Sequence, residues 1–322
     1  MSKNCFSWQP NKPVSEGANM YHNAVVNTSW YNDNLEYLTD MVKDIVKTND
    51  IIVDFGAGTG VSSLVLLNSR IKDYKIFLVD NSPSWLSKAY EILKDRPNVD
   101  FFILEKKDGN YSTLAQTIGN GKANIVISAN TFHLVPDLNV AFKGIYDSLQ
   151  KKSTFIMQSG NITRKGRAAE VLMIDDTVEK IHNLAVDILK TDKKYSIYAK
   201  NLNKLIEEGY AQRKMIFPDP RPVEIYINAL ELSGFRCDGY TYKEVKVKYT
   251  DWKNFLKVKR IQAGILPEIG GKNPTEKEIN IRDSVITQAI DQLFMDIKRN
   301  NSKADESSFT AEWVYIKSLK ED

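Results

Sequence analysis

Residues 51 to 60, with the sequence IIVDFGAGTG, combine an apolar run, one carboxylate and three glycines within ten positions. Because glycine lacks a Cβ atom, Gly56, Gly58 and Gly60 allow a tight turn and let backbone N–H groups come close to a ligand. Asp54 lies just before this glycine loop, residues 56–60. Its negative charge would repel a pyrophosphate but attract a ligand that carries an ammonium and a sulfonium group. The segment therefore indicates a cofactor site next to a carboxylate.

A glycine-rich loop after a strand is also typical of proteins that bind a dinucleotide. A dinucleotide-binding fingerprint has the spacing G-x-G-x-x-G, which needs a glycine at position 61, where this sequence has Val61. The observed spacing is G-x-G-x-G. Val61 and Asp54 therefore argue against an NAD-dependent oxidoreductase, which stays an alternative, as does a protein that binds a cofactor without transferring a group.

The elements around the glycine loop are predicted to alternate between strand and helix. Short apolar runs predict strands over 51–55, 75–80, 99–104, 123–128 and 154–159. Helices are predicted over 34–46, 61–69, from Pro83 with Ser82 as its cap, near 112–118, and over about 138–149. Five such units indicate a parallel sheet covered by helices on both faces. Ligands of such sheets bind at the carboxyl ends of the strands, and the glycine loop follows the first of them.

After Ser159 the alternation stops, and charged helices are predicted to about Phe217. A helix that ends at Gly234, a strand near Tyr240 to Tyr249, helices within 251–300 and a final strand in FTAEWVYIKSL follow. We therefore predict an α/β, Rossmann-like fold with a mostly parallel seven-stranded sheet and helices on both faces. The main domain would span 51–322, with helical lid insertions at about 160–217 and 251–304, and residues 1–50 would form a helical segment over the cofactor site.

The run Val53-Asp54-Phe55-Gly56-Ala57-Gly58-Thr59-Gly60, followed by Asp80 at the end of the second predicted strand, resembles the class I S-adenosylmethionine-dependent methyltransferases. The resemblance implies that the glycine loop lies against the methionine part of S-adenosylmethionine and that Asp80 holds the ribose hydroxyls. It covers about residues 50 to 160 well and the helix at 223–234 and the last two strands loosely. The expected activity is methyl transfer, with S-adenosylhomocysteine as the second product.

At lower specificity the resemblance also implies roles for residues after the third and fourth strands. Asp108 would contact the adenine amino group, although a solvated loop acid is an equal alternative. Phe132 and His133 would face the reacting centre, with His133 either a catalytic base or a residue that only lines the pocket. The cofactor-binding residues implied in this way are Asp54, Gly56, Ala57, Gly58, Gly60, Asp80, Asn81, Asp108 and Asn130.

Two further clusters are candidates for the acceptor side. Tyr21, His22 and Trp30 could lie on a segment that folds across the cofactor, or belong to an aromatic helix packed on the sheet. Arg164 and Arg167 follow the fifth strand and could attract an anionic acceptor, although a charge cluster is more often a solvated face. His182 lies in a charged helix and is expected to be structural or solvated.

The remaining features restrict the class of substrate. Lys and Arg exceed Asp and Glu by only 44 to 41, which does not favour a nucleic-acid binder. The region after the fourth strand lacks the prolines found in family members that methylate amino groups of DNA. It also lacks the acids of metal-dependent members, and Cys5 and Cys237 lack metal-site spacing, so we expect no metal. No apolar stretch predicts a membrane span or an export signal, which indicates a cytoplasmic protein. We expect a small-molecule acceptor, and His133 slightly favours methylation of oxygen over nitrogen. The sequence leaves the oligomeric state open.

Overall fold

The main sheet of the computed structural model has seven strands, within a description that covers residues 7–300 and 308–321. Cys5 lies outside these residues. The strands are β1 (Ile51–Phe55), β2 (Lys75–Asp80), β3 (Val99–Ile103), β4 (Ala123–Ala129), β5 (Leu149–Ser159), β6 (Arg236–Lys248) and β7 (Ser308–Lys320). Their order across the sheet is β6-β7-β5-β4-β1-β2-β3. The predicted Rossmann-like, mostly parallel seven-stranded sheet is confirmed.

Strands β1 to β5 run parallel to one another, and β7 is antiparallel to both of its neighbours, β5 and β6. Val53 lies opposite Phe77 of β2 and Val126 of β4, so that β1 is at the centre of the parallel part. The carboxyl ends of β1, β2 and β4 therefore meet at one edge. Strand β5 begins at Leu149 rather than at the predicted Thr154.

Helices cover both faces of the sheet because successive residues of a buried strand point to opposite sides. Ile52 belongs to one apolar cluster, together with Val42 and Leu66, whereas its neighbour Val53 belongs to a second cluster that includes Phe142. The helices are α1 (Glu16–Val25), α2 (Ser29–Lys43), α3 (Val61–Asn68), α4 (Pro83–Leu93), α5 (Leu114–Ile118), α6 (Leu138–Ser148), α7 (Ile174–Thr191), α8 (Ser196–Ala199), α9 (Leu202–Ile216), α10 (Val223–Leu232), α11 (Tyr249–Leu256), α12 (Lys259–Ile265) and α13 (Glu276–Asn300).

A helical layer is built from two separate stretches of the chain. Helices α7 to α9 follow β5, and α11 to α13 lie between β6 and β7. Their buried apolar residues, such as Ile181, Trp252, Ile265 and Ile290, belong to the same cluster as Ile52, so this layer shares a core with one face of the sheet. None of the helices in the described part of the chain is long and apolar enough to cross a membrane.

Candidate functional site

The glycine loop leaves β1 with a backbone that only glycine adopts without strain. Gly56 has a φ of +74° and Gly58 a φ of +55°. A Cβ atom on Gly56 would lie 2.3 Å from Thr131 Oγ1, so this glycine lets the chain after β4 approach β1. A Cβ atom on Gly58 would meet nothing closer than Trp85, at 3.6 Å. A Cβ atom at Gly58 would thus make only ordinary van der Waals contacts, and Gly58 lines the cavity described below.

Asp54 is fully buried at the end of β1 and is only partly hydrogen-bonded. Its Oδ2 accepts hydrogen bonds from Ser62 Oγ at 2.5 Å and Ser63 Oγ at 2.7 Å, both on α3. Its Oδ1 is buried without a hydrogen-bond partner among the described residues. Burial raises the pKa of Asp54 to about 6, against the lowering effect of the two serines. A nearby positive charge would therefore stabilise its ionised form.

Asp80 ends β2 and is hydrogen-bonded by two backbone N–H groups. Gly58 donates to its Oδ2 at 2.8 Å, and Ser82, the residue before α4, donates to its Oδ1 at 2.7 Å. Burial raises the pKa of Asp80, and these backbone bonds oppose the shift. Each carboxylate oxygen has a second lone pair, which leaves Asp80 able to accept two more hydrogen bonds, for example from a pair of hydroxyls.

A cavity of about 1860 Å³ opens at the carboxyl ends of β1, β2, β4 and β5. The predicted site residues that line it are Tyr21, Trp30, Gly56, Ala57, Gly58, Asp80, Asn81, Asn130 and His133. On the other side it is lined by residues of the helical layer, which include Ile174, Phe217 and Phe255. The structure thus brings together residues from the sheet edge, the N-terminal helices and both helical stretches.

An aromatic wall from the first two helices closes one side of this cavity. The ring of Tyr21 lies 4.6 Å from that of Trp85, and Trp30 contacts Phe255 at 5.6 Å between ring centroids. Tyr31, next to Trp30 in α2, is hydrogen-bonded to Tyr21 and Asn130. Burial raises the pKa of the Tyr31 hydroxyl. The N-terminal aromatic residues therefore line the cavity and also pack on the helical layer.

His133 lies in a short 3-10 helix, Phe132–Leu134, directly after β4. Its Nδ1 is 3.0 Å from Ser159 Oγ at the end of β5. Burial, followed by the charge of Arg221, lowers the pKa of His133 to about 4. The imidazole is therefore neutral at physiological pH.

Asn130 is fixed by a contact that sequence reasoning missed. Its side-chain Oδ1 accepts a 3.0 Å hydrogen bond from Trp313 Nε1 on β7, and its backbone has a φ of +52°. Trp313 also packs against Gly160, where a Cβ atom would lie 2.7 Å from the indole ring. No local pattern predicts this contact, because Asn130 and Trp313 are 183 positions apart in the chain.

Arg260, in α12, is a second residue that sequence reasoning missed. It lines the cavity, and its guanidinium lies 5.4 Å from the centroid of the Trp85 ring. Its charge acts on both Asp80 and Tyr21. Nothing in the local sequence distinguishes it from other exposed basic residues.

The remaining predicted residues do not line the cavity: Asp54, Gly60, His22, Asp108, Phe132, Arg164 and Arg167. Asp54 is buried just before the glycine loop, and Gly60 is buried at the end of the loop, where α3 begins. Phe132 is buried and stacks on Phe55 at 5.5 Å between ring centroids. His22 is buried in α1, where burial lowers its pKa. Asp108 is exposed in the turn of a small hairpin, between Lys107 and Gly109, which do line the cavity.

The two arginines after β5 are held by carboxylates. Arg164 forms a two-point ion pair with Glu312 of β7, with distances of 2.9 Å and 2.6 Å, and Arg167 lies 2.9 Å from Asp176. His182 is buried in the helical layer, with its Nε2 3.4 Å from Glu268 Oε1. Within the described residues, no group of three or more His, Cys, Asp or Glu side chains is placed to hold a metal ion.

Three features of this site fit S-adenosylmethionine. The side-chain-free backbone at Gly58 lines the cavity, the unpartnered Oδ1 of Asp54 favours a nearby positive charge, and Asp80 retains acceptors for ribose hydroxyls. With the strand order of the sheet, they define the class of S-adenosylmethionine-dependent methyltransferases. A family model described as a methyltransferase domain matches residues 46–209, and the chain belongs to this methyltransferase family.

Two characterised proteins are similar to the chain at low sequence identity. The carboxy-S-adenosyl-L-methionine synthase of Nautilia profundicola is 23% identical over 228 residues, which cover 70% of this chain and 83% of that protein. Malonyl-(acyl-carrier protein) O-methyltransferase 1 of Ilyobacter polytropus is 29% identical over 139 residues, 43% of this chain and 47% of that protein. The chain thus matches about half the length of this second relative.

Solved structures share the fold at low sequence identity. A candidate sarcosine dimethylglycine methyltransferase from Galdieria sulphuraria has a TM-score of 0.52 and 10% identity, covering 96% of this chain and 99% of that chain. A candidate methyltransferase from Bacillus halodurans has a TM-score of 0.52 and 13% identity, covering 90% of this chain and 100% of that chain. S-adenosylmethionine is the cofactor of the family to which the chain belongs.

Proposed function

We propose that this methyltransferase acts on a small molecule, at oxygen or nitrogen, with oxygen preferred. The observation that carries the proposal is the continuity of the cavity from Gly58 and Asp80 to His133. Its volume of about 1860 Å³ exceeds the roughly 300–1,000 Å³ of a usual ligand pocket. It therefore has room for a cofactor and for an acceptor of modest size beside it.

The cofactor end is assigned to the glycine loop and the acids beside it. When bound, S-adenosylmethionine supplies an electrophilic methyl group. Gly56, Ala57 and Gly58 would approach its methionine part with their backbone, and Asp80 with Asn81 would hold the ribose. Asp54 would act through its charge from below the loop, because it is buried and does not reach the cavity itself.

The acceptor end is assigned to His133 and the helical layer. Ile174, Ile216, Phe217 and Pro218 give this end apolar walls that exclude water. In this proposal residues 1–50 cover the cofactor, and the helical insertions form a lid over the acceptor. Holding the acceptor atom about 3–3.5 Å from the methyl carbon then supplies most of the acceleration.

Arg164 and Arg167 offer little support for an anionic acceptor, because their carboxylate partners neutralise them and they do not line the cavity. The positively charged side chain near His133, at the acceptor end of the cavity, is Arg221. Its Nη2 donates to the carbonyl oxygens of Phe132 and Val135, at 2.6 Å and 3.0 Å, directly behind His133. Arg221 does not line the cavity either, so its charge would favour an anionic acceptor from behind His133 and not through direct contact.

The experiment is transfer of an isotope-labelled methyl group from S-adenosylmethionine into small molecules of a cell extract, followed by mass analysis and methyl-carbon NMR of the product. We expect one product to gain a methyl group on oxygen. With S-adenosylmethionine well below saturation, Asp80→Ala should strongly reduce the signal, whereas Asp95→Ala, a change at an exposed acid outside the cavity lining, should not. Label in nucleic acid or protein, or a carboxymethylated product, would contradict the proposal.

A further inference from the structure

We propose that Ser159 holds His133 as a hydrogen-bond donor to the acceptor, so that His133 positions the reacting group and does not act as its base. The hydrogen bonds around the Ser159 hydroxyl carry this inference. It deepens the proposed function and rests on it for the identity of the acceptor, but the state of the imidazole can be measured independently.

The side chain of Ser159 is fully buried, and the direction of its hydrogen bonds follows from its two partners. Its Oγ accepts a 3.1 Å hydrogen bond from the backbone N–H of Asn161, a group that can only donate. The hydroxyl has one proton of its own, and the acceptor within reach among the described residues is His133 Nδ1, at 3.0 Å. Ser159 therefore donates to Nδ1.

The alternative arrangement is unfavourable. If Nδ1 carried the proton and donated to Ser159, the serine proton would be buried without an acceptor. An unsatisfied buried polar group of this kind lowers the population of that arrangement by about 5- to 150-fold. Because a neutral imidazole has one proton, it must then lie on Nε2.

Nε2 of His133 lies on the cavity side of the ring. This atom has no partner among the described residues and is not buried, and His133 lines the cavity. Arg221 is the charged side chain that bears on the ring, and its charge opposes a second proton on the imidazole, as does burial. His133 thus presents a neutral Nε2–H group to the acceptor end of the cavity.

This geometry selects the chemistry of the acceptor. A hydroxyl or an ammonium group must lose a proton during methylation, and the Nε2–H group cannot accept it. A carboxylate oxygen is already nucleophilic, accepts a hydrogen bond from Nε2–H, and is favoured by the charge of Arg221. The acceptor assigned here is therefore a carboxylic acid in its ionised form.

The transfer then balances without a base. A lone pair of the carboxylate oxygen forms the new carbon–oxygen bond, and the sulfur–methyl bond breaks with its electron pair left on sulfur. The products are a methyl ester and a neutral thioether, and no proton is released. His133 holds the carboxylate through one hydrogen bond throughout.

The imidazole state is tested by long-range proton–nitrogen NMR of the full chain, which contains only three histidines. The His133 signals are assigned by their loss in His133→Gln. We expect a protonated Nε2 and an unprotonated Nδ1, unchanged from about pH 5.5 to 8, a range above the pKa of about 4. Ser159→Ala should produce a mixture of the two tautomers, and the matched change Ser148→Ala, at a buried serine bonded to Ile145, should not. A proton on Nδ1 in the unsubstituted protein, or protonation of the ring within this range, would overturn the proposal.

The acceptor class is tested on the labelled product from a cell extract. A methyl ester releases its label as volatile methanol in mild alkali, whereas methyl ethers and methylamines keep it. We expect release of nearly all of the label, and retention would overturn the assignment of a carboxylate. If no label is transferred at all, the proposed function fails, and the NMR measurement still decides the role of His133.

Discussion

The backbone N–H of Gly58 donates a 2.8 Å hydrogen bond to Oδ2 of Asp80, which joins the glycine loop after β1 to the end of β2. This bond fixes the distance between the two parts of the proposed cofactor site before any ligand is present. Because Ser82 N–H binds the other carboxylate oxygen, the carboxylate cannot rotate freely. The cradle is therefore preorganised, which reduces the entropic cost of binding.

Loss of the Asp80 carboxylate should weaken binding of S-adenosylhomocysteine. A hydrogen bond to a charged group contributes about 1.5–3 kcal/mol, which corresponds to an affinity change of about 10- to 150-fold. Isothermal titration calorimetry of Asp80→Ala measures this change, with Asp95→Ala as the matched control. Equal affinities for the two variants would show that Asp80 does not contact the ligand.

Alanine substitutions in the glycine loop should separate ligand binding from stability. Gly58→Ala adds a methyl group to the cavity lining without a clash with protein atoms, so it should weaken S-adenosylhomocysteine binding. The positive φ of Gly58 adds a backbone cost of about 1–3 kcal/mol. Gly60→Ala has the same backbone cost and also brings its Cβ within 2.9 Å of Ala89, so it should lower the thermal stability further. Calorimetry and thermal unfolding measure the two effects. A Gly58→Ala variant that binds as tightly as the unsubstituted protein would place the ligand elsewhere.

Cofactor affinity should rise with pH around the pKa of Asp54, which burial raises to about 6. The ionised form attracts a cationic ligand, so at lower pH part of the binding energy is used to remove the proton. The dissociation constant of S-adenosylmethionine should therefore increase as pH falls below about 6, by at most about tenfold per pH unit. Titrations at several pH values test this, and Asp54→Asn should remove the dependence. The same dependence in both proteins would assign it to another group.

The ion pair between Arg164 and Glu312 should contribute to stability rather than to acceptor binding. Both side chains are almost fully buried, and removal of one partner from such a pair costs about 3–5 kcal/mol. Arg167→Ala breaks a partly exposed pair and should cost about 0–1 kcal/mol. Chemical denaturation of Arg164→Ala and Arg167→Ala measures these two costs. Neither substitution should change the KM for the acceptor. An increased KM in both would restore the hypothesis that these arginines bind an anionic acceptor.

A buried carboxyl group in the helical layer should make stability depend on pH. Both carboxyl oxygens of Glu268 lack hydrogen bonds among the described residues, and burial raises its pKa to about 7. A raised folded-state pKa contributes stability that is present below the unfolded value of 4.5 and is lost as pH rises through 7. Glu268→Gln cannot ionise, so its gain in Tm over the unsubstituted protein should be larger at pH 8 than at pH 5.

The matched control for Glu268→Gln is Glu224→Gln, at an exposed position of α10. This control should show no difference between the two pH values. Each 1 kcal/mol of stability corresponds to about 2–4 °C in Tm for 150–250 residues, and to less for a chain of 322 residues. A gain for Glu268→Gln that is equal at both pH values would mean that Glu268 stays protonated or finds a partner.

The parts of the fold that follow local rules could be predicted from the sequence. Strands β1 to β4 are short apolar runs between turn residues, and α4 begins at Pro83 as its sequence indicates. The glycine loop and Asp80 are close in the chain, since one helix and one strand separate them. Parallel pairing of neighbouring strands then brings them to one edge of the sheet.

The contacts that could not be predicted join distant parts of the chain. Arg164 and Glu312 are 148 positions apart, and Asn130 and Trp313 are 183 positions apart. The charge cluster after β5 has the composition of a solvated face, and only the pairing of β7 with β5 brings Glu312 to it. His182 has a charged local sequence, yet it is buried because α7 packs against other helices of the layer.

The most direct test of the account is a crystal structure of the protein with S-adenosylhomocysteine. We expect both ribose hydroxyls within about 3.2 Å of the Asp80 carboxylate, the backbone of Gly58 against the methionine part, and the sulfur atom facing the side of the cavity that holds His133. A ligand bound away from the glycine loop, or one whose ribose does not touch Asp80, would contradict the account.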